Sequence, residues 1–163
     1  MKIKIFTVFF VLLAFGKVSL ACGFKQDFDR LAFYNVIKEG SIDDINKELL
    51  VIDASSIPEK DAYKGTLLMK KAGLVKRPKD KLSFFKEGRI KLETELHNNS
   101  SNAEYHFLRL IIQEHAPKIT KYRAQLQDDA EYIRKNYKSL SAAVQQVVTD
   151  YSKTSKILHA TDF

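Results

Sequence analysis

Helix-breaking residues divide this 163-residue chain more clearly than any motif does. Gly and Pro fall between segments whose apolar residues recur every three or four positions. No segment alternates apolar and polar residues long enough to read as a strand. "FDRLAFYNVIKEGSIDDINKELLVID" predicts a helical hairpin. Leu31, Tyr34, Val36 and Ile37 form its first apolar side, and Ile45, Leu49 and Ile52 its second. Gly40 is expected to stop the first helix in the left-handed conformation that glycine enters cheaply. Ser41, with Asp44 three residues on, caps the next.

A third helix is expected behind Ser56, Pro58 and Glu59, which read as an N-cap, a first-turn proline and a capping box. Leu67, Leu68 and Ala72 are its buried candidates. Ala62 and Gly65 are small enough for a neighbouring helix to approach closely. An internal glycine costs about 1 kcal/mol against Ala, so packing is a reasonable motive for Gly65. Gly73 is expected to end this helix. Pro78 opens a long fourth one patterned by Leu82, Phe85, Ile90, Leu92 and Leu96. Ser101 and Glu104 suggest a further capping box, and Phe107, Leu108, Ile111 and Ile112 make the helix behind them the most apolar, so it should be central. Pro117 marks a break. Residues 122–140 and 141–158 supply two more amphipathic helices. The expected fold is all-α: about seven helices in antiparallel hairpins, forming a short solenoid or an irregular bundle. Residues 22–163 form one domain, long enough to bury a core without cross-links.

The first residues point to export. Lys2 and Lys4 precede an apolar run from Ile5 to Phe15 broken only by Thr7. That run is shorter than the ~20 residues a spanning helix needs. Ser19-Leu20-Ala21 places small residues before a cut site, so residues 1–21 read as a secretory signal peptide. Cys22, the single cysteine, has two readings. Ser19-Leu20-Ala21-Cys22 resembles a bacterial lipobox, with Ser19 departing from its branched aliphatic residue; Cys22 would then be lipidated and attach the chain to a membrane. Alternatively, ordinary cleavage leaves a free thiol. One cysteine forms no internal disulfide.

Charge is uneven along the rest. Between Cys22 and Glu59 there are four basic and eight acidic residues; between Lys60 and Glu95 there are eleven basic and five acidic. The basic focus is Lys70, Lys71, Lys76, Arg77, Lys79 and Lys81. Such a field attracts anionic lipid, polysaccharide or acidic protein. Export argues against a nucleic-acid partner. The simpler reading is a solvated loop between two helices.

Catalytic signatures are missing. There is no G-x-S-x-G, H-E-x-x-H, P-loop or G-x-G-x-x-G. His97, His106 and His115 are spaced nine apart, which is 2.5 helical turns and sets His106 and His115 on opposite sides; no metal site and no cofactor are expected. Asp128 and Asp129 fall in a first helical turn, where the helix dipole explains them. Glu93 and Glu95 read as a solvated polar face.

Two stretches resemble tetratricopeptide-type hairpins in layout: "FYNVIKEGSIDDINKEL" and "LETELHNNSSNAEYHFLRL". The full 34-residue signature is not met, since the chain has no Trp and Pro58 and Gly65 are out of register. "AYKGTLLMKKAG", "NAEYHFLRLIIQEHAPK" and "DYSKTSKILHATDF" together are similar to a family of short exported helical proteins of Bacteroidetes. That resemblance implies an envelope location, periplasmic or outer-membrane associated, and nothing catalytic. The tetratricopeptide-like layout implies a concave groove that holds a peptide. Tyr63, Tyr105, His106, Arg109 and Tyr132 are the candidates for that face, although tyrosines also pack at core edges. The expected function is therefore a non-enzymatic envelope protein that binds another protein. A holdase chaperone is the next alternative, and a cell-wall or lipid-acting enzyme the third.

Overall fold

The computed structural model describes residues 28–163; the leader at 1–21 and Cys22 lie outside the described residues. Seven α-helices follow one another: α1 (Arg30–Glu39), α2 (Ile42–Ala54), α3 (Lys60–Leu74), α4 (Pro78–Asn98), α5 (Ala103–His115), α6 (Leu126–Asn136) and α7 (Ala142–Ser152). Two short 3-10 turns intervene and a third follows α7, and there is no strand among the described residues. The all-α expectation stands.

Two helices carry the core. In α5, nine of 13 residues are buried, as its apolar sequence requires. In α3, eight of 15 are buried, because it packs on α1, α2, α4 and α5 at once. Helices α1, α2 and α4 pack around these, and α6 covers α5. The first helix also packs on the last, α1 on α7. A linear repeat stack touches only its neighbours; the meeting of the two ends is what a closed bundle does.

Several starts and stops follow the sequence, and several do not. Ser41 and Asp44 form the expected capping box, and Pro78 occupies the first turn of α4. Gly40 is not left-handed: its φ is −65° and ψ 141°. Glycine is needed there because a Cβ would sit 2.5 Å from the Val36 carbonyl oxygen. The third helix starts at Lys60, with Pro58 and Glu59 in the turn before it and no side-chain cap; Ser56 plays no part. Helix α3 runs one residue past Gly73. Asn102, not Ser101, caps α5, its side chain accepting from the Glu104 N–H at 3.0 Å. Leu82 and Ile90 are not core residues, being 70% and 58% exposed.

The α3–α4 contact is the most extensive in the molecule. It depends on two facing glycines. A Cβ on Gly65 would meet the Gly88 carbonyl oxygen at 2.6 Å and the Leu92 nitrogen at 2.9 Å. A Cβ on Gly88 would strike the Gly65 carbonyl oxygen and Met69. The obstacles are backbone atoms, so neither helix can yield without separating. Gly65→Ala or Gly88→Ala should therefore lose about 1–3 kcal/mol or more in urea unfolding. Gly73→Ala, in open space on the same helix, should gain up to about 1 kcal/mol. Equal behaviour of all three would show that the crossing is not close.

Candidate functional site

Three of the five residues expected on a binding face do converge, around Asp129. His106 and Arg109 lie three residues apart on α5, so their side chains leave the same side. Asp129, in the first turn of α6, is fully buried. Arg109 grips it with two bonds, Nε to Oδ2 at 2.8 Å and Nη2 to Oδ1 at 2.7 Å. His106 Nδ1 reaches Oδ1 at 2.7 Å, while its Nε2 faces the Ser100 carbonyl at 2.8 Å. Both partners of the ring accept only; a neutral imidazole donates to one, an imidazolium to both. Tyr132 stacks on the ring at 4.1 Å. Arg109 also donates to Glu93 Oε2 at 2.9 Å, and the Tyr122 hydroxyl donates to the other Glu93 oxygen. Burial works against the charge on Arg109, but the bonds and charge of Asp129, then those of Glu93, outweigh it and hold the guanidinium protonated.

These contacts revise two expectations. Asp129 is more than a dipole partner: it is the anionic hub joining α5 to α6. Glu93 is no solvated group, being two-thirds shielded and bonded twice. Helical spacing signals Asp129, since it shares a row with Leu126, Ala130 and Ile133, all buried.

Tyr63 and Tyr105 belong elsewhere. Tyr63 is fully buried and Tyr105 only 3% exposed, so neither lines an outer groove. The Tyr63 hydroxyl donates to Glu104 Oε1 at 2.7 Å, and Tyr34 donates to the same oxygen at 3.0 Å. Arg30 closes this second cluster, donating from Nε to the Tyr63 hydroxyl at 2.9 Å and lying 3.5 Å from Glu104 Oε2. Glu104 is the residue the sequence reading assigned only to a cap.

A hollow of about 620 Å³ opens over the Asp129 cluster, lined by Glu93, Leu96, His97, Ser100, His106 and Arg109. Glu93 and Arg109 are bonded to each other, and His106 is held by Asp129 and the Ser100 carbonyl. Ligand pockets are mostly apolar with a few free polar groups; this one offers the reverse. Among the described residues, no three His, Cys, Asp or Glu side chains gather to hold a metal.

The basic focus is not a loop. Only residues 75–77 connect the two helices; Lys70 and Lys71 end α3, while Lys79 and Lys81 begin α4. Arg77 pairs with Asp80 at 2.6 Å, and Lys71 lies 4.5 Å over the Phe84 ring. Lys76, Lys79 and Lys81 are exposed. This hairpin tip and the outer side of α4 form the molecule's concentrated basic surface, and Leu74, Leu82 and Ile90 stand exposed within it. No protein-family model, no curated protein and no solved structure matches the chain.

The clusters predict alkaline behaviour. Burial raises the phenols of Tyr34 and Tyr63, and the charge of Glu104 raises them further. Burial likewise raises Tyr122 and Tyr151, reinforced by bonds to Glu93 and Glu114. Tyr105 is pushed up to about 12 by burial and by Glu95. A phenol raised in the folded state stabilises fully below its unfolded value near 10, and that stability is lost as pH climbs above it. Absorbance near 295 nm should therefore show these five ionising together with the loss of helical ellipticity. Smooth ionisation near pH 10 with helices intact would contradict the buried clusters.

Proposed function

We propose that the protein is a non-enzymatic contact module of the cell envelope, and that its contact surface is the α3–α4 hairpin. The export reading of residues 1–21 supports the location. The observation that carries the reading is the meeting of exposed aliphatics and unneutralised cations on one side of α4. Leu82 is 70% exposed and Ile90 58%, while Lys79 and Lys86 on the same side are exposed and form no ion pair among the described residues. Large aliphatic side chains left in water among like charges gain from being covered.

A groove in the tetratricopeptide manner has less support, since two of its five expected residues are core tyrosines. Catalysis has little as well: Asp129, Glu93 and Glu104 are each engaged by a cation or a phenol. Their bonds tie α1, α3, α4 and α6 to α5, which is a structural task.

A photo-activated cross-linker placed at position 82, in cells, tests the contact surface. It should give an adduct, whereas the same group at Gln146, exposed on α7, should not. Adducts from position 146 and none from 82 would put the contact surface on the wrong side of the molecule.

A further inference from the structure

The row on α4 that faces away from α3 is the place to ask what covers this surface. Helix α4 turns Phe85, Gly88 and Leu92 inward, sets Phe84 under Lys71, and leaves Leu82, Lys86 and Ile90 outward at four-residue steps. Eight residues rise about 12 Å along a helix, so two aliphatics stand on one line with a lysine between them. The antiparallel register sets a further exposed leucine near the tip. Gly65 faces Gly88 and Lys71 lies over Phe84, which brings Leu74 at the end of α3, 41% exposed, level with the first turns of α4.

Charge surrounds this line. Residues 70–90 contain six lysines and two arginines against two acids, Asp80 and Glu87, and Lys91 beyond them is paired with Asp61 of α3. Asp80 is already taken by Arg77. The partner is therefore anionic, and the side chains say which kind. Protein interfaces favour aromatic residues and arginine at their centres and are poor in lysine. Here the exposed large apolar groups are aliphatic, Phe85 packs against the core, the half-buried Phe84 ring lies under Lys71, and lysine dominates. Lysine stems lie along apolar material while their ammonium ends stay in water, and they add attraction to an anionic lipid surface without needing defined geometry. Leucine and isoleucine flanked by such lysines suit the boundary between headgroups and acyl chains. No described helix is long and apolar enough to cross a membrane, so contact by these helices would lie along the surface.

We propose that the outer row of α4, with the α3–α4 tip, docks on an anionic phospholipid bilayer. This rests on the reading of the hairpin as the contact surface and gives that surface its partner.

The test uses the protein as purified from the envelope, so that wild type and variants share one N-terminus. Flotation compares vesicles holding about 30% phosphatidylglycerol with vesicles of phosphatidylcholine alone. Wild type should partition at least about tenfold more to the anionic vesicles. The preference should vanish in about 0.5 M salt. Leu82→Ser with Ile90→Ser, and separately Lys79→Glu with Lys81→Glu and Lys86→Glu, should each abolish it while circular dichroism stays unchanged. A membrane contact made by the N-terminus alone would persist in both variants. Equal partition to the two compositions, or a preference the variants keep, would overturn the proposal. The adduct at position 82 separates the layers: a phospholipid adduct supports docking on the bilayer, a protein adduct retains the contact surface and overturns its partner, and no adduct overturns both.

Discussion

The close approach of α3 and α4 at Gly65 and Gly88 sets the geometry on which the rest depends. Two backbones in mutual contact leave no room for even one methyl group between them. With that distance fixed, the two helices stay in contact along the hairpin. Lys91 then reaches Asp61 at 2.8 Å across the two helices, and Lys71 settles over Phe84. The same crossing fixes which side of α4 is turned inward. Once Gly88 must face Gly65, Leu92 and Leu96 follow it into the core, and Leu82, Lys86 and Ile90 have no choice but solvent. The exposed row is thus a consequence of the packing and not a failure of it.

Two buried carboxylates complete the frame. Glu104 and Asp129 lie nowhere near each other in sequence, yet both bind side chains of α5 or belong to it. Glu104 collects Tyr34 from α1 and Tyr63 from α3; Asp129 brings α6 onto His106 and Arg109. Removing one partner of a buried charged pair typically costs about 3–5 kcal/mol, because the other is left without compensation. A third carboxylate, Glu114, repeats the device at the far end of α5. It accepts from Tyr151, Ser155 and the Lys156 N–H, and so pins the chain beyond α7. Chemistry that resembles a catalytic cluster in sequence is used here to fix the relative placement of helices.

Local sequence carried the helices well. Ser41 with Asp44, Pro78 at the start of α4 and the apolar run of α5 each act within a few residues, so they could be read directly. The role of Gly65 was also legible, since an internal glycine in a helix asks for a close neighbour. What escaped depends on partners distant in the chain. Leu82 and Ile90 look like core residues because they are aliphatic and fall at roughly helical intervals with Phe85 and Leu92, yet they lie about a quarter turn or more from that row; the glycine at 88 marks the inner side. Asp129 looked like a dipole partner beside Asp128, although its row with Leu126, Ala130 and Ile133 pointed inward. Tyr63 and Tyr105 looked suited to a groove, but their rings pack in the core, with Tyr63 against Phe28 and Phe33 and its hydroxyl satisfied by Glu104. Gly40 shows the same lesson in small: glycine was right, but crowding by Val36 and not a left-handed turn requires it.

The orientation of the molecule on a bilayer is the most direct measure of whether this frame serves membrane contact. In nanodiscs containing anionic phospholipid with a spin-labelled headgroup, the amide signals of the protein report proximity residue by residue. Broadening centred on Leu74, Leu82, Lys86 and Ile90, fading toward α7, is the expected result. Broadening centred on α6 or α7, or none along α4, would contradict it.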